Sequence, residues 1–417
     1  MRSKIDIFKD IQSILENDYA GYLNKQDLNH PEQYQVTDEM SDDQFEEIMK
    51  SYLYDFKDGH LGFSAKDTTL PHRGFLVRRY EDALFVTEAN QENRLSVGDK
   101  ITRIDGKSID EAAVIYQKPL ENDEHERQFW NVVMPRVKCV QIERDGEQFE
   151  LQLAEHEFTY EPEYSFQQIN SQTCYIKITD FLQEEPILTV IEDNSKAIEQ
   201  SENLIIDVRV NKGGNDSFYF ELLNYIFGRE LDFSELFTGN EVMLTNYTER
   251  NAEVWIAALE EYLEQDLDGE TARMIREDIS LFRENTGKGL LEVKEDLGHT
   301  IKGRPSPTYV YVLSDYQCGS SGDTFVRNAK KSPKVTVVGR PTMGIMDYFN
   351  VATIDYGDFE FWYGVSKMHD DYLTHGKGEA PHMYIPWTPE HAKKDIDLEV
   401  VMKLIKEEKN IQKGTFR

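Results

Sequence analysis

The chain has 417 residues, 39% of them hydrophobic and 12% aromatic, which is enough for a buried core and for two or three domains. Its formal net charge of -32 argues against nucleic acid or an anionic membrane as a partner, because phosphate groups bind to clustered cations. The three cysteines, Cys139, Cys174 and Cys318, are scattered and odd in number, so they predict neither a disulfide framework nor a zinc site.

The first residues, MRSKIDIFKDIQSILENDY, carry a charge every few positions and lack the continuous apolar run of a signal peptide. No segment of the sequence reaches the apolar length that spans a membrane. We therefore expect a cytoplasmic protein without a membrane partner.

Residues 1–69 are predicted to be helical. Apolar residues recur at helical spacing near the start: Ile5, Phe8, Ile11, Ile14 and Leu15. A second helix is predicted to begin at Ser41, with acidic residues in its first turn. The motif LPHRG at 70–74 predicts a domain boundary, and the short strand-like runs of residues 70–154 predict a small β-rich domain.

Residues 155–417 show a mixed pattern, which predicts a single α/β domain. TCYIKITDF (173–181) and NLIIDVRV (203–210) are predicted strands, and ILTVIEDNSKAIEQ (187–200) between them is a predicted helix. This order predicts a βαβ unit with a parallel sheet. Residues 229–300 are predicted to form an acidic helical insertion, which is either a solvated cap or a lid over a site.

The motif DYQCGSSGDTF (315–325) lies between a predicted strand and a predicted helix. Small residues let the chain turn sharply there and expose the side chain at the corner. Ser320 and Ser321 are therefore either turn residues or candidates for a nucleophile. A nucleophilic serine would need a base and an oxyanion site elsewhere in the chain.

Two further motifs contain residues of the required kinds. Gly213 and Gly214 follow the strand LIIDVRV, where adjacent glycines either end a strand or bring backbone amides close to a ligand. KDGHLGF (57–63) places His60 in a tight turn, and the other candidate bases, His375 and His382, flank GKGEAP. No histidine cluster has metal-ligand spacing, so we expect neither a metal nor another cofactor.

Taken in order, these motifs resemble those of the carboxyl-terminal-processing (tail-specific) serine peptidases, whose relatives include the tricorn core peptidase. The resemblance rests on the DGH turn, the hairpin-like LSVGDKITRIDGKSI (95–109), the D-x-R-x-N-x-G-G turn (207–214) and the serine corner, and it covers roughly residues 40–400. It implies an α/β fold with a crotonase- or ClpP-like peptidase core, an amino-terminal helical region and a PDZ-like domain.

The resemblance also implies roles at the serine corner. In the family an acid follows the nucleophile by three positions, and Asp323 stands in that relation to Ser320, which is therefore the predicted nucleophile, with Ser321 as the alternative. The amide of Ser321 and an amide of Gly213 or Gly214 would form the oxyanion hole. Three residues that match the preceding turn would hold its shape: Asp207, Arg209 and Asn211.

Bacterial members of the family use a lysine as the base, in a turn that here reads Thr342-Met343-Gly344-Ile345. Isoleucine replaces the lysine, so this alignment excludes a Ser–Lys dyad. The tricorn-type branch uses the histidine of the DGH turn, which implies that His60 is the general base. The nearest carboxylate for the third position is Glu379, in a segment where His382 replaces the usual aspartate.

The PDZ-like resemblance implies peptide binding by strand addition and carboxylate capture, with Gly74 and Phe75 in the nearest match to the carboxylate loop. The domain could instead be a rigid gate. The predicted function is a serine endopeptidase that cleaves peptides or unfolded protein tails through an acyl-enzyme. The alternatives are a catalytically inactive member that binds a peptide or an apolar small molecule, and an acyl hydrolase on a crotonase-like core.

Overall fold

The structure is a computed structural model that describes residues 2–66, 71–157, 159–239, 241–265, 269–293 and 298–415. The chain divides into two compact units, each assembled from three separate segments. The first unit comprises Met1–Thr68, Phe233–His299 and Ile345–Gly376; the second comprises Thr69–Asp232, Thr300–Gly344 and Lys377–Arg417. The predicted domain boundary between residues 69 and 70 lies outside the described residues.

The helices of the described residues are α1 (Lys4–Asn17), α2 (Asp42–Tyr54), α3 (Ile109–Ile115), α4 (Gln117–Leu120), α5 (Trp130–Val133), α6 (Glu184–Gln200), α7 (Phe220–Ile226), α8 (Glu249–Tyr262), α9 (Gly269–Asn285), α10 (Ser321–Lys330) and α11 (Ile396–Thr415). Short 3₁₀ turns join several of them. None of these helices combines the length and the apolar run that a lipid bilayer would require.

The strands of the described residues are β1 (Gly62–Ala65), β2 (Leu76–Tyr80), β3 (Ala83–Glu88), β4 (Lys100–Ile104), β5 (Lys107–Ser108), β6 (Cys139–Arg144), β7 (Glu147–Gln152), β8 (Tyr164–Asn170), β9 (Thr173–Ile178), β10 (Asn203–Asp207), β11 (Leu231–Asp232), β12 (Met243–Tyr247), β13 (Gly289–Val293), β14 (Thr300–Ile301), β15 (Tyr309–Ser314), β16 (Val335–Gly339), β17 (Tyr348–Asp355), β18 (Phe359–Met368) and β19 (Met383–Tyr384).

The first unit packs two amino-terminal helices against an antiparallel sheet. Its strands follow the order β1-β18-β12-β13, and β17 forms a hairpin with β18. The predicted start of the second helix is confirmed, because Ser41 caps α2 and forms a reciprocal capping box with Gln44. The apolar faces of α1 and α2 and one face of the sheet share a core that includes Phe8, Phe45 and Phe361.

The predicted helical insertion at 229–300 contains strands as well as helices. β12 pairs with both β13 and β18, so this part of the segment belongs to the sheet of the first unit. At the start of α8, the buried side chain of Asn251 donates to the carbonyls of Asp18 and Asn246. Residues 240, 266–268 and 294–297 of the predicted insertion lie outside the described residues.

The second unit contains a six-stranded sheet in the order β19-β16-β15-β10-β9-β8, in which β8 is antiparallel to β9 and the other pairs are parallel. The predicted βαβ unit is confirmed as β9, α6 and β10. β15, α10 and β16 repeat the arrangement around the serine corner. All five residues of β10 are buried, as expected for a central parallel strand.

The same unit contains a second, antiparallel sheet in the order β2-β3-β4-β6-β7, with the short β5 paired to β4. Residues from β2, β4, β6 and the short helices form its own core, which surrounds the fully buried Trp130. The strands of this sheet lie within residues 70–154, for which the sequence predicts a small β-rich domain. The chain as a whole has a mixed α/β fold with several sheets.

Candidate active site

Ser320 occupies the corner between the end of β15 and the start of α10. Its backbone has φ 57° and ψ −122°, a strained conformation for a residue that carries a Cβ. A sharp strand-to-helix turn of this kind presents the corner side chain outward, as in the nucleophile elbows of hydrolases. Ser321, by contrast, is the buried first residue of α10 and has no such strain.

The carboxylate of Asp323 holds the backbone of this corner in place. The carboxylate is fully buried, its Oδ2 accepts from the amide of Ser320 at 2.9 Å, and its Oδ1 accepts from the amide of Gly344 at 2.9 Å. The amide of Met343 also donates to the carbonyl of Cys318 at 2.7 Å. The serine corner and the turn at 341–344 are therefore held together as one backbone assembly.

Gly213 lies directly against Ser320. Its φ is +77°, and a Cβ built on it would come within 2.6 Å of the Cβ of Ser320 and 2.9 Å of the carbonyl oxygen of Gly319. Gly214 has φ +140°, and a Cβ there would lie 2.0 Å from the carbonyl oxygen of Phe181. Both positions need glycine, because both the backbone conformation and the close approach exclude a side chain.

Hydrogen bonds join this glycine turn to the corner. The amide of Gly319 donates to the carbonyl of Asn211 at 2.9 Å, and the Ser321 hydroxyl donates to the carbonyl of Gly214 at 2.7 Å. The side-chain oxygen of Asn211 accepts from the amide of Gly213 at 2.9 Å. The sequence predicts that Asn211 holds the shape of the glycine turn, and these hydrogen bonds support that role.

The amides near Ser320 are not equally available to a ligand. The amide of Gly213 is engaged by Asn211, whereas those of Gly214 and Ser321 make no hydrogen bond to another described residue. The Ser321 amide belongs to the first turn of α10, where backbone N–H groups have no partner within the helix. These two amides, one from each side of the corner, have no partner among the described residues and can donate hydrogen bonds to a negatively charged oxygen.

Asp216, just after the glycine pair, is a second carboxylate that contacts the first turn of α10. Its Oδ1 accepts from the Thr324 hydroxyl at 3.4 Å. Burial raises the pKa of Asp216 to about 6, while hydrogen bonds from Ser321, Tyr219 and Thr324 lower it. Its charge therefore changes close to physiological pH.

His60 lies in the first unit, in the tight turn between α2 and β1. Its Nδ1 is 2.5 Å from the carbonyl oxygen of Tyr348, and its amide donates to Oδ1 of Asp58 at 2.9 Å. A carbonyl oxygen can only accept, so Nδ1 of His60 carries a hydrogen in this contact.

Ile345 stands at the position that the family motif fills with lysine, and it packs against the same turn. A Cβ on Gly59 would come within 2.8 Å of the Ile345 Cγ2. The side chain is therefore an apolar contact of the DGH turn, and it offers no basic nitrogen.

Glu379 forms ion pairs with helix α10. Its carboxylate accepts from Arg327 Nε at 2.7 Å and from Lys330 Nζ at 3.1 Å. Burial raises the pKa of Glu379, but the two cations outweigh burial and hold it below its usual value. His382 accepts from the amide of Val337 through Nδ1, and the amide of His375 donates to Asp347.

The predicted carboxylate loop contains Gly74 and Phe75. The amide of Gly74 donates to His72 Nδ1 at 2.9 Å, and the side chain of Phe75 is only 2% exposed, within the core of the β-rich region. The Gly74 amide is therefore already bonded, and the assignment of these residues to peptide binding stays a prediction.

The sequence analysis missed two arginines of the β-rich region that contact the core of the second unit. Arg78 forms a bidentate pair with Asp315, at 2.6 and 3.0 Å, and Arg127 donates to the carbonyls of Thr342 and Met343, both at 2.9 Å. Arg78 and Arg340 hold the pKa of Asp315 at about 2, against the raising effect of burial. For Arg78 the available signal was its place in the apolar strand FLVRRY, beside Arg79.

Part of the chain matches a known family of proteins. Residues 172–359, which include both the glycine turn and Ser320, match the model of peptidase family S41. Mature CPAF in complex with lactacystin is similar in structure, with a TM-score of 0.67 and 13% identity over 96% of this chain and 97% of that chain. At this identity the likeness shows a shared fold.

Two other solved structures align over most of their length with lower scores. They are a putative peptidase from Parabacteroides merdae (TM-score 0.49, 14% identity, 97% of each chain) and a photosystem II C-terminal processing protease (TM-score 0.48, 13% identity, 94% of each chain). No curated protein sequence matches the chain.

The family match over residues 172–359 supports a serine-type peptidase.

Proposed function

We propose that the chain is an endopeptidase that cleaves peptides or unfolded protein tails, with Ser320 as nucleophile and His60 as general base. The observation that carries the proposal is the strained backbone of Ser320 beside the amides of Gly214 and Ser321, which bond to no group in the described part of the chain. A strained corner is retained in a fold when the surrounding structure fixes it, and such corners cluster at functional sites.

In the proposed reaction, Nε2 of His60 takes the proton of the Ser320 hydroxyl while Oγ attacks the peptide carbonyl. The negative charge that develops on the carbonyl oxygen is bound by the amides of Ser321 and Gly214. The C–N bond breaks as the imidazolium returns its proton to the leaving amine, which leaves an acyl ester on Ser320. A water molecule, deprotonated by His60, then releases the acid.

Gly213 supports this proposal in a role that differs from the one expected for it. Its amide is bonded to Asn211, so we assign the oxyanion contact to Gly214. The role we assign to Gly213 is to leave space beside Ser320.

Glu379 stays the predicted third residue. Its pairs with Arg327 and Lys330 support an indirect role, through the helix that begins beside the nucleophile.

We propose that the β-rich region is a PDZ-like domain that acts as a rigid gate. At the edge strand β2, the amide of Val77 donates to the Asn131 side chain at 2.8 Å, and the contact supports a strand that is closed to an added peptide. The ion pair of Arg78 with Asp315 supports the rigid attachment of this region.

We also propose that the parallel sheet of the second unit is a crotonase-like core, on the basis of its repeated parallel βαβ units. We further propose a cytoplasmic location.

The test is covalent labelling by a fluorophosphonate probe, read by mass spectrometry, in the wild type and in Ser320→Ala, Ser321→Ala and His60→Ala. We expect an adduct on Ser320 that is lost in the Ser320→Ala and His60→Ala variants and retained in Ser321→Ala. A folded wild type without an adduct would favour the alternative of an inactive member that binds a peptide or an apolar small molecule. Turnover of an ester but not of a peptide would favour an acyl hydrolase.

A further inference from the structure

The edge of the parallel sheet that carries the serine corner also carries an exposed cation. β9, β10 and β15 are parallel, so their carboxyl ends meet at one edge, and the start of β8 lies there too because β8 is antiparallel to β9. Ser320 follows β15, and Lys212 follows β10 with its side chain exposed. Open α/β sheets bind their ligands outside this edge.

Lys212 directly precedes the two glycines of the turn beside the serine. The next residue, Gly213, lies so close to Ser320 that a Cβ built on it would come within 2.6 Å of the serine Cβ. The amide of Lys212 donates to the carbonyl of Thr179 at 2.9 Å, which fixes its backbone against the end of β9. The cation therefore belongs to a turn that is held in place next to the proposed nucleophile.

The ring of Tyr160 holds the ammonium group of Lys212. Nζ lies 3.4 Å from the ring centroid. A contact of this kind stabilises a cation without neutralising its charge. The hydroxyl of Tyr160 donates to Oδ2 of Asp180 at 2.7 Å, which fixes the ring under the ammonium.

Two acids lie near enough to affect Lys212, and neither forms an ion pair with it. Burial lowers the pKa of Lys212, whereas the charges of Asp180 and Glu88 raise it. Asp180 is fully buried, and its oxygens accept from two tyrosine hydroxyls and from the amide of Leu182. Among the described residues, Nζ of Lys212 donates no hydrogen bond, so its three N–H groups remain for a ligand.

An exposed apolar side chain lies beside the same turn. Leu182 is 58% exposed, and a Cβ built on Gly214 would come within 2.8 Å of its amide nitrogen. The amide of Gly214 is one of the two that we assign to the oxyanion. A peptide bound at this turn would therefore meet an oxyanion donor, an apolar side chain and a cation.

We propose that Lys212 is a specificity-determining residue that binds a carboxylate of the substrate peptide, from either an acidic side chain or the chain end. The inference rests on the proposed peptidase function and names its substrate class. Two backbone residues and one lysine side chain separate Nζ from the Gly214 amide, a span of at most about 13 Å. An extended peptide covers that span in about four residues, so the carboxylate lies within about four residues of the scissile bond.

The charge of the whole chain makes this preference a local property. With a formal net charge of -32, the chain repels anionic peptides at long range. A preference for a carboxylate must therefore come from a cation at the site, and replacement of that cation should remove it.

The experiment compares three sets of eight-residue alanine–leucine peptides. The first carries one glutamate at successive positions and an amidated end, the second carries glutamine instead, and the third carries glutamine and a free carboxyl end. Binding is measured by fluorescence anisotropy in the full-length Ser320→Ala variant, and cleavage by mass spectrometry in the chain with Ser320 intact. We expect a carboxylate to improve binding and cleavage by about fivefold, which is the upper range for an exposed ion pair.

In Lys212→Gln this ratio should fall to about one, and in the wild type it should fall at high ionic strength. Lys212→Arg keeps the cation and should keep most of the preference, whereas Lys212→Glu should reverse it in favour of peptides that carry lysine. Lys196→Gln is the matched control, because it removes the same charge from an exposed position of α6 and should leave the ratio unchanged.

The binding measurement separates this inference from the proposed function, because it needs no cleavage. If the three sets do not differ, or if the preference persists in folded Lys212→Gln, the inference is overturned, even with Ser320 established as the nucleophile. A preference that depends on Lys212, without cleavage or an adduct on Ser320, would support the carboxylate site and overturn the peptidase. Preference for the first set identifies an acidic side chain as the ligand, and preference for the third identifies the chain end.

Discussion

Arg78 and Asp315 form a bidentate ion pair whose side chains are 7% and 10% exposed, and the acid begins the loop that leads to Ser320. The guanidinium of Arg78 also lies 4.5 Å from the ring centroid of Tyr316. The pair joins the β-rich region to the peptidase core within the second unit. Such a pair is costly to break, because either partner alone would be a buried charge.

We therefore predict that Arg78→Met reduces the free energy of unfolding by about 2–4 kcal/mol, since Arg340 still pairs with Asp315 but the bidentate partner is lost. Arg273→Met is the control, because its pair with Glu277 is exposed and contributes about 0.5 kcal/mol or less. Urea unfolding measures both variants. Equal losses would show that the buried pair has no special role.

The same acid predicts how stability depends on pH. The pKa of Asp315 is about 2 in the folded chain and about 4 in an unfolded one, so its ionisation stabilises the fold at neutral pH. This contribution, about 2 kcal/mol, is complete above pH 4 and is lost as the pH falls towards 2. Asp315→Asn should show a shallower decline of stability than the wild type between these values. Parallel curves would contradict the prediction.

Asp216 should give the opposite dependence of stability on pH. Its folded pKa of about 6 is higher than in the unfolded chain, so its protonated form stabilises the fold, and this contribution is lost as the pH rises from about 4 to 6. Asp216→Asn removes the charge. The free energy of unfolding of this variant, relative to that of the wild type, should therefore be about 1–2 kcal/mol higher at pH 8 than at pH 4. Urea unfolding at the two values tests this, and a gain that is the same at both would refute it.

Gly213→Ala should reduce the fluorophosphonate labelling rate by about 100-fold, because the added Cβ displaces Ser320 from the amides around it. Gly106→Ala is the matched control. Gly106 has the same φ of +77° but no atom within 4 Å of the added Cβ, so it tests backbone strain without the clash. If both variants label equally slowly, the contact with Ser320 is not what matters.

Glu379→Gln should lower the free energy of unfolding by about 1–3 kcal/mol, because it leaves Arg327 and Lys330 without their acid. If Glu379 acts through α10, the double variant with Arg327→Met should recover part of both the stability and the labelling rate. Recovery of stability without any recovery of labelling would instead support a direct catalytic part for Glu379. Thermal unfolding and labelling rates measure the two effects separately.

The helices and strands near the site could be predicted from the sequence because their signals are local. Ser41 and Gln44 at the start of α2, and the apolar run of β10, each fix an element by neighbouring residues. The serine corner and the glycine turn were predicted for the same reason: small residues at the ends of parallel strands allow backbone conformations that other residues avoid.

The local patterns of the sequence did not show which distant residues pair with one another. The bond of His60 with the carbonyl of Tyr348 joins residues 288 apart, and that of Arg78 with Asp315 joins residues 237 apart. The burial of Phe75 likewise depends on strands that lie elsewhere in the chain. By itself, the sequence determined the elements, the serine corner and the absence of a lysine at Ile345. The tertiary structure alone decided which amides stay unpaired and which charges are buried together, because hydrogen bonding and burial depend on groups that only folding brings into contact.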